Sequence, residues 1–371
     1  TTNQQHSTTQ PAAANHNTTY RNKSTTSQQK ALGKWIHGRL REHHYRDLSV
    51  LSKSSVVHIV SSPATVRHKI IARSPWFRYN ARLGKMLNIF SRSADAADEH
   101  EPGQFGPYRL IELINTGGMA DLWLATNPEG QTVAVRKLLP ALRRDGTAKK
   151  RFVTGCEVLA EVHEHDYIVH YVEHGKIKGI PFMSMEYVEG ANLKEWMASP
   201  TDELSQYIGN ILIDMGEALE HVHDCGYMHL DFKPENVLVS SNWNVRLVDF
   251  DLALERPDQP KKLAKNPGTP AYMSPEQLQR EPVDHRADIF AYGVSVYEIL
   301  TGQKPFAGAN PGEILKKQLN RNIDFVPPRK INPGIPLGVE KTVLKSLETD
   351  PTKRHGLLSV MLHDLRTALY V

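Results

Sequence analysis

The pattern of hydrophobic and polar residues changes once along the chain, near residue 190. Before it, short runs rich in β-branched and aromatic residues are typical of strands: YRLIELI, DLWLAT, TVAVRKLL, IVHYVEHG and PFMSMEYV. After it, apolar positions recur at helical spacing: SQYIGNILIDMGEALEHVHDCG, DIFAYGVSVYEILTG, GEILKKQLN, GVEKTVLKSLETD and LLSVMLHDLRTALYV. Strands followed by helices predict an α+β body with a small β-rich lobe, a larger helical lobe and a cleft between them.

The chain before residue 108 has a different texture. Residues 1–30 are mainly Thr, Gln, Asn and Ser, and such a segment buries too little apolar surface to offset its ordering entropy, so we expect a disordered polar tail. Residues 31–107 form a basic arm that ends in a linker. Within the arm, Ser74 and Pro75 suit the N-cap and first position of a helix. Residues 74–92 then predict a basic amphipathic helix with the apolar face Trp76, Tyr79, Leu83, Met86, Leu87 and Phe90.

Several roles for this helix remain open. It can lie on an anionic membrane surface, bind a partner protein, or pack on the protein's own body. An acid-poor, Arg- and Ser-rich segment also suits a transit peptide. Residues 1–94 carry 15 Lys/Arg and two acids, a net charge of +13, whereas the remaining residues carry 30 Lys/Arg and 39 acids, a net charge of −9. The sequence therefore predicts a basic, partly disordered arm on a slightly acidic body, and we expect no specific nucleic acid partner.

The two cysteines, Cys156 and Cys225, exclude a disulfide framework and a four-thiolate zinc site. We therefore expect a reducing, cytoplasmic setting, with residues 74–92 able to hold the protein at a membrane surface. No run approaches the roughly 18 apolar residues that cross a bilayer, so we expect no membrane span. We also expect no secretory signal.

Polar motifs follow one another along the body in a fixed order. Asn115-Thr-Gly117-Gly118-Met-Ala lies between two strand runs, and such a turn is either a plain hairpin or a loop whose amides close over phosphates. The strand run VAVRK comes next. HLDFKPEN, residues 229–236, places polar residues ahead of an apolar run, and VRLVDFD ends a buried strand at Asp249. GTPAYMSPE, DIFAYG and DPTKR complete the series.

With this series, from about Tyr108 to the C-terminus, the chain resembles the protein kinase superfamily, specifically the bacterial eukaryotic-like serine/threonine kinases. The resemblance implies the two-lobed protein kinase fold over residues 108–371. It also implies transfer of the γ-phosphate of ATP, with Mg²⁺, to Ser and Thr hydroxyls of protein substrates.

The resemblance also assigns roles to individual residues. Asp231 matches the carboxylate that accepts the substrate hydroxyl proton, and Lys233 matches the lysine that steadies the transferred phosphoryl group. Asn236 and Asp249 match the metal ligands. The implied nucleotide-binding positions are Asn115, Gly117, Gly118, Leu122, Ala134, Arg136, Glu186, Val188 and Leu238. The implied supporting residues are Met185 at the gatekeeper position, the ion pair of Glu276 with Arg354, and Asp288 as the anchor of the catalytic loop.

Four departures from the family pattern matter. Arg136 replaces the third-strand Lys, and strand alternation points the adjacent Lys137 to the opposite face. In the family, the third-strand Lys pairs with a Glu of the helix that follows. Here that helix position is Gly155, and the nearest acid is Glu157. The Gly-rich loop has Asn115 and Ala120 in place of its first and third glycines. Residues 249–251 are Asp-Phe-Asp where the family has Asp-Phe-Gly, and residues 229–231 are His-Leu-Asp where the family has His-Arg-Asp.

Two interpretations follow from these departures. In the first the protein is a working kinase in which Arg136 supplies the phosphate cation, although Arg does not simply replace Lys. In the second it is a pseudokinase, a nucleotide-binding or scaffolding module.

The segment 251–268 has no Ser, Thr or Tyr, and Leu230 precedes the catalytic Asp, so we expect no switching by phosphorylation there. Three prolines and a KKLAK patch predict a loop held by chain stiffness and charge.

Overall fold

The computed structural model describes residues 100–264 and 268–370, which form two lobes. The N-terminal lobe is an antiparallel sheet with strand order β1-β2-β3-β4-β6-β5. Its strands are β1 (Gly103–Phe105), β2 (Tyr108–Thr116), β3 (Ala120–Thr126), β4 (Thr132–Leu138), β5 (Tyr171–Ile177) and β6 (Ile180–Glu186). Helix α1 (Gly146–Val162) contacts β5 and β6. Its N-terminus is capped by Asp145, whose carboxylate accepts from the amides of Thr147 and Ala148.

Strand alternation in β4 divides its side chains between two apolar cores. Val133 and Val135 belong to a small outer core with Trp123 of β3, whereas Ala134 belongs to the main core that also contains residues of α1. Because successive side chains of a strand point to opposite faces, Arg136 shares the inner face with Ala134. Lys137 lies in the outer core, where its Nζ is 5.1 Å from the centroid of the Trp123 ring. This is the orientation that alternation predicts.

The C-terminal lobe is built mainly from helices. They are α2 (Leu193–Ala198), α3 (Asp202–Asp224), α4 (Pro275–Gln279), α5 (Arg286–Thr301), α6 (Pro311–Leu319), α7 (Pro328–Ile331), α8 (Leu337–Ser346) and α9 (Leu358–Tyr370). Helix α5 is buried along almost its whole length, which explains its nearly continuous apolar sequence. Helix α3 is capped by Thr201 and has acids in its first turn, so its N-terminus suits the helix dipole. The predicted α+β fold with a β-rich and a helical lobe is confirmed.

Short strands between the lobes position the loops of the cleft. Strands β7 (Gly190–Asn192), β9 (Val237–Ser240) and β10 (Val245–Leu247) form one sheet, and β8 (Tyr227–Met228) pairs with β11 (Leu254–Glu255). Strand β12 (Lys261–Lys262) pairs with β13 (Pro282–Val283). The segment after Asp251 is therefore tied by backbone pairing at two places, which the sequence did not predict.

The predicted polar tail, basic arm and amphipathic helix lie outside the described residues, except for the last residues of the linker. Within residues 100–264 and 268–370, no helix has the length and apolar character that crossing a membrane requires.

Candidate active site

Asp231 lies at the centre of a hydrogen-bonded cluster in the loop before β9. Its Oδ1 accepts from the backbone amide and the hydroxyl of Thr269, each at 3.0 Å. Its Oδ2 accepts from Lys233 Nζ at 2.6 Å, and the same Nζ donates to the Thr269 hydroxyl at 2.8 Å. Thr269 therefore closes a triangle with the two residues that the sequence predicted as catalytic, and the triangle fixes both side-chain ends.

A buried carboxylate of helix α5 holds the start of the loop 229–236, which the resemblance predicts to be catalytic. Asp288 Oδ2 accepts from the amide of His229 at 2.8 Å, and Oδ1 accepts from the amide of Leu230 at 2.8 Å. His223 Nε2 lies 2.9 Å from Oδ2. Burial alone would raise the pKa of Asp288, but the hydrogen bond and charge of His223 outweigh it and lower the pKa. Leu230 has φ of 61°, in the left-handed region, so the Asp288 contacts stabilise an otherwise unfavourable backbone turn.

Asp249 and Asn236 provide oxygens suited to a hard cation. Asn236 Nδ2 donates to the carbonyl of Asp231 at 2.9 Å and to its Oδ2 at 3.3 Å, which leaves the amide oxygen for a ligand. Asp249 has φ of 66°, and its Oδ1 is buried without a hydrogen-bond partner among the described residues. The same Oδ1 lies 3.6 Å from Arg136 Nη2, beyond hydrogen-bond distance, and Mg²⁺ prefers carboxylate and amide oxygens of this kind. The donor set therefore fits magnesium.

The Gly-rich segment is a hairpin turn between β2 and β3. Register pairs Asn115 with Leu122, so Asn115 is part of the strand, and the Gly117 amide donates to the Ala120 carbonyl at 3.0 Å. A Cβ added to Gly118 would meet nothing within 4 Å, and neither glycine of the turn has φ in the left-handed region. The protein's own packing therefore does not require glycine at Gly118.

The residues expected around an adenine ring lie on β3, β4, β6 and β9, except for Val188, which lies in the segment between β6 and β7. Ala134 is buried in the main core, and Leu122 and Val188 are half-buried and pack against it. Leu238 is half-buried between two fully buried valines of β9, so it faces the opposite side of that strand. Glu186 ends β6, and its Oε2 accepts from Arg246 Nε at 3.0 Å, which fixes the start of the segment that leads to the second lobe.

Arg136 finds a carboxylate partner that the sequence did not predict. Its Nη1 and Nη2 donate to Asp251 Oδ1 and Oδ2 at 3.2 and 2.8 Å, and Nη2 lies 3.6 Å from Asp249 Oδ1. Gly155 of α1 is buried directly against Asp251, whereas Glu157 is exposed. The sequence carried a signal for this pair. Relative to the family pattern, the chain with Arg136 gains an acid at Asp251 and lacks one at Gly155.

A second buried ion pair fixes the end of the segment that carries Thr269. Arg354 Nη1 and Nη2 donate to the two carboxylate oxygens of Glu276 at 2.6 and 2.7 Å. The guanidinium also lies 4.9 Å from the centroid of the Phe290 ring. The pair joins α4 to the turn before α9, as the sequence resemblance implied.

Comparison with known proteins agrees with this geometry. Residues 108–365 match the family model described as the protein kinase domain. The chain belongs to the protein kinase family. It is 31% identical over 270 residues to the probable serine/threonine-protein kinase PknB of Corynebacterium glutamicum, covering 70% of this chain and 41% of that protein. It is also 32% identical over 265 residues to the serine/threonine-protein kinase PknB of Mycobacterium leprae, covering 70% and 42%.

A probable serine/threonine-protein kinase of Streptomyces coelicolor is 32% identical over 272 residues, covering 71% of this chain and 40% of that protein. The chain thus spans about two fifths of the length of these relatives. The expected family, that of bacterial serine/threonine protein kinases, is confirmed. The individual residue roles remain predictions.

Proposed function

We propose that the protein is a serine/threonine kinase that transfers the γ-phosphate of MgATP to Ser and Thr hydroxyls of protein substrates. The observation that carries this proposal is the joining of Asp231, Lys233 and Thr269 in one hydrogen-bonded triangle. Asn236, which donates to Asp231, connects this triangle to the metal-binding side of the site. A positioned carboxylate, a cation beside it and metal ligands are what phosphoryl transfer requires of a protein.

Each residue has a defined task in this proposal. Asp231 orients the substrate hydroxyl and accepts its proton, and Lys233 stabilises negative charge on the transferred phosphoryl group. Asp249 and Asn236 hold Mg²⁺, which when bound neutralises charge on the phosphates. Asn115, Gly117 and Gly118 line the phosphate-binding turn, and Arg136 provides the fixed cation. The adenine-binding residues are Leu122, Ala134, Glu186, Val188 and Leu238.

A pseudokinase function is the second candidate, and one observation favours it. Arg136 donates to both oxygens of Asp251, so the cation that should bind phosphates is already engaged by a protein carboxylate. In this case nucleotide binding would persist without transfer, and the output would be an interface with a partner. The retained Asp231, Asn236 and Asp249 favour the kinase.

Incubation with radiolabelled ATP, Mg²⁺ and generic protein substrates tests the activity. The wild-type chain should label Ser and Thr, and Asp249→Asn should lower the rate by at least about a hundredfold, because several kcal/mol of charge stabilisation is lost. Glu157→Gln is the matched control, since it neutralises an exposed acid of α1 and should keep wild-type rates. Wild-type protein that binds nucleotide but labels no substrate would favour the pseudokinase.

We further propose that the kinase domain comprises residues 108–371, after a polar tail (1–30) and a basic arm (31–107). Residues 74–92 would bind an anionic membrane surface from the cytoplasm. This attraction should weaken with salt, because exposed charges are screened beyond about 8 Å at physiological ionic strength. Co-sedimentation of the full chain and of residues 108–371 with anionic and neutral liposomes tests it. Equal pelleting of both proteins would exclude the arm as the membrane-binding element.

A further inference from the structure

Three departures from the kinase pattern meet at one point of the cleft. Arg136 comes from β4, Gly155 from α1, and Asp251 from the segment that follows β10. Arg136 and Asp251 are 115 residues apart and form a bidentate ion pair with N–O distances of 3.2 and 2.8 Å. Their side chains are 14% and 8% exposed, so the pair is largely shielded from solvent. Because two guanidinium nitrogens donate to the two oxygens of one carboxylate, the pair fixes the plane of the guanidinium as well as its position.

Gly155 provides the space for this carboxylate. A Cβ at Gly155 would lie 2.6 Å from Asp251 Oδ1, 2.9 Å from its Cα and 3.0 Å from its amide nitrogen. No side chain fits there unless the backbone around Asp251 moves. Helix α1 therefore contributes a gap at the position where the family resemblance predicted an acid.

The remaining contacts of α1 with Arg136 are uncharged. Phe152, one turn before Gly155, places its ring centroid 5.6 Å from the guanidinium carbon. Cys156 is buried, and burial raises the pKa of its thiol to about 12, so it is neutral at physiological pH. A buried guanidinium needs a carboxylate to compensate its charge. Here that charge comes from the 249–251 segment, with Asp251 in direct contact and Asp249 at 3.6 Å.

We propose that Asp251 is the positioning residue that orients Arg136 toward the nucleotide phosphates in place of an acid on α1, and that Gly155 makes this arrangement possible. This inference rests on the proposed nucleotide site. Its consequence is that the ion pair joins β4 to the segment following Asp249. Displacing that segment removes the orienting carboxylate, whereas α1 supplies no carboxylate to the ion pair.

A double-variant cycle with MgADP, measured by titration calorimetry on the full chain, tests the coupling. Asp251→Asn should weaken MgADP binding about tenfold, the effect of losing a charge-assisted hydrogen bond. Arg136→Gln should weaken it by a similar factor. In the Arg136→Gln background, Asp251→Asn should change the affinity by no more than about twofold, because its effect passes through Arg136. Tighter binding by Asp251→Asn would show that Asp251 withholds Arg136 from the nucleotide and would overturn the inference.

An equal loss in both backgrounds would also overturn it, since that result indicates a structural effect independent of Arg136. The melting temperature of each variant without nucleotide provides the folding control. Where Asp251→Asn does not fold, Gly155→Ala replaces it, because it pushes on Asp251 without changing any charge. Gly155→Ala should weaken MgADP binding in the wild-type background and leave it unchanged in the Arg136→Gln background; any other result contradicts the inference.

The rate of phosphate transfer separates this inference from the proposed function. If the cycle shows that Asp251 and Arg136 are coupled in MgADP binding but the wild type transfers no phosphate, the kinase activity is refuted and the ion-pair inference is supported. Transfer without coupling in the cycle would do the reverse. A wild-type chain that does not bind MgADP would overturn both. In an active protein, Asp251→Asn should raise the KM for ATP more than it lowers kcat, because the carboxylate acts through nucleotide positioning.

Discussion

Replacing Gly155 by Ala should destabilise the folded protein, although helix propensity alone predicts that it stabilises it. In a helix interior, Gly→Ala gains about 1 kcal/mol, because Gly loses more backbone entropy on folding. At Gly155 the added methyl meets three atoms of Asp251 between 2.6 and 3.0 Å, two of them in the backbone. Overpacking of this kind costs about 1–3 kcal/mol. Weakening one charged hydrogen bond of the Arg136 pair adds about 1.5–3 kcal/mol. The net expectation is a loss of about 1.5–5 kcal/mol.

Urea unfolding followed by tryptophan fluorescence measures this loss, and a thermal melt should show the midpoint falling by several degrees. Gly146→Ala is the matched control in the same helix. It is exposed, and a Cβ there would meet nothing within 4 Å, so this variant should be neutral or slightly stabilising. A Gly155→Ala protein that gains about 1 kcal/mol, as propensity alone predicts, would refute the packing argument.

Three further predictions concern the cation, the loop and pH. Arg136→Ala should slow phosphate transfer at least about tenfold and Arg136→Lys should retain activity, whereas Lys137→Ala should mainly lower the melting temperature; loss of transfer only in Lys137→Ala would contradict the assignment. Complete dephosphorylation should leave initial rates unchanged, because residues 251–264 contain no hydroxyl and Leu230 cannot bind an anion; a lost rate restored by phosphorylation of Thr269 would contradict this. Burial lowers the pKa of four histidines, His163, His165, His285 and His355. Below about pH 6.5 the unfolded chain therefore binds more protons than the folded chain, so the free energy of unfolding should fall as the pH drops below this value. Urea titration at several pH values measures this, and a free energy of unfolding that does not change with pH would contradict the prediction.

The strands and helices could be predicted largely from local pattern. YRLIELI falls within β2, and DIFAYGVSVYEILTG closely matches α5. Both signals are local, since a strand alternates its faces every residue and a buried helix is apolar throughout. The short strands β11 and β12 were missed. Their pairing partners lie about twenty residues or more away, and their sequences carry no periodic signal, because two residues are too few for one.

The sequence alone determined the fold class and the order of the motifs, because those depend on residue type and spacing within short segments. It also determined which face of β4 carries Arg136. Only the tertiary structure decided which acid partners that Arg. The choice of Asp251 follows from packing between α1 and a segment about a hundred residues later, where the missing side chain of Gly155 leaves room for one carboxylate. Such a contact depends on distances between elements remote in the chain, and no local period records those distances.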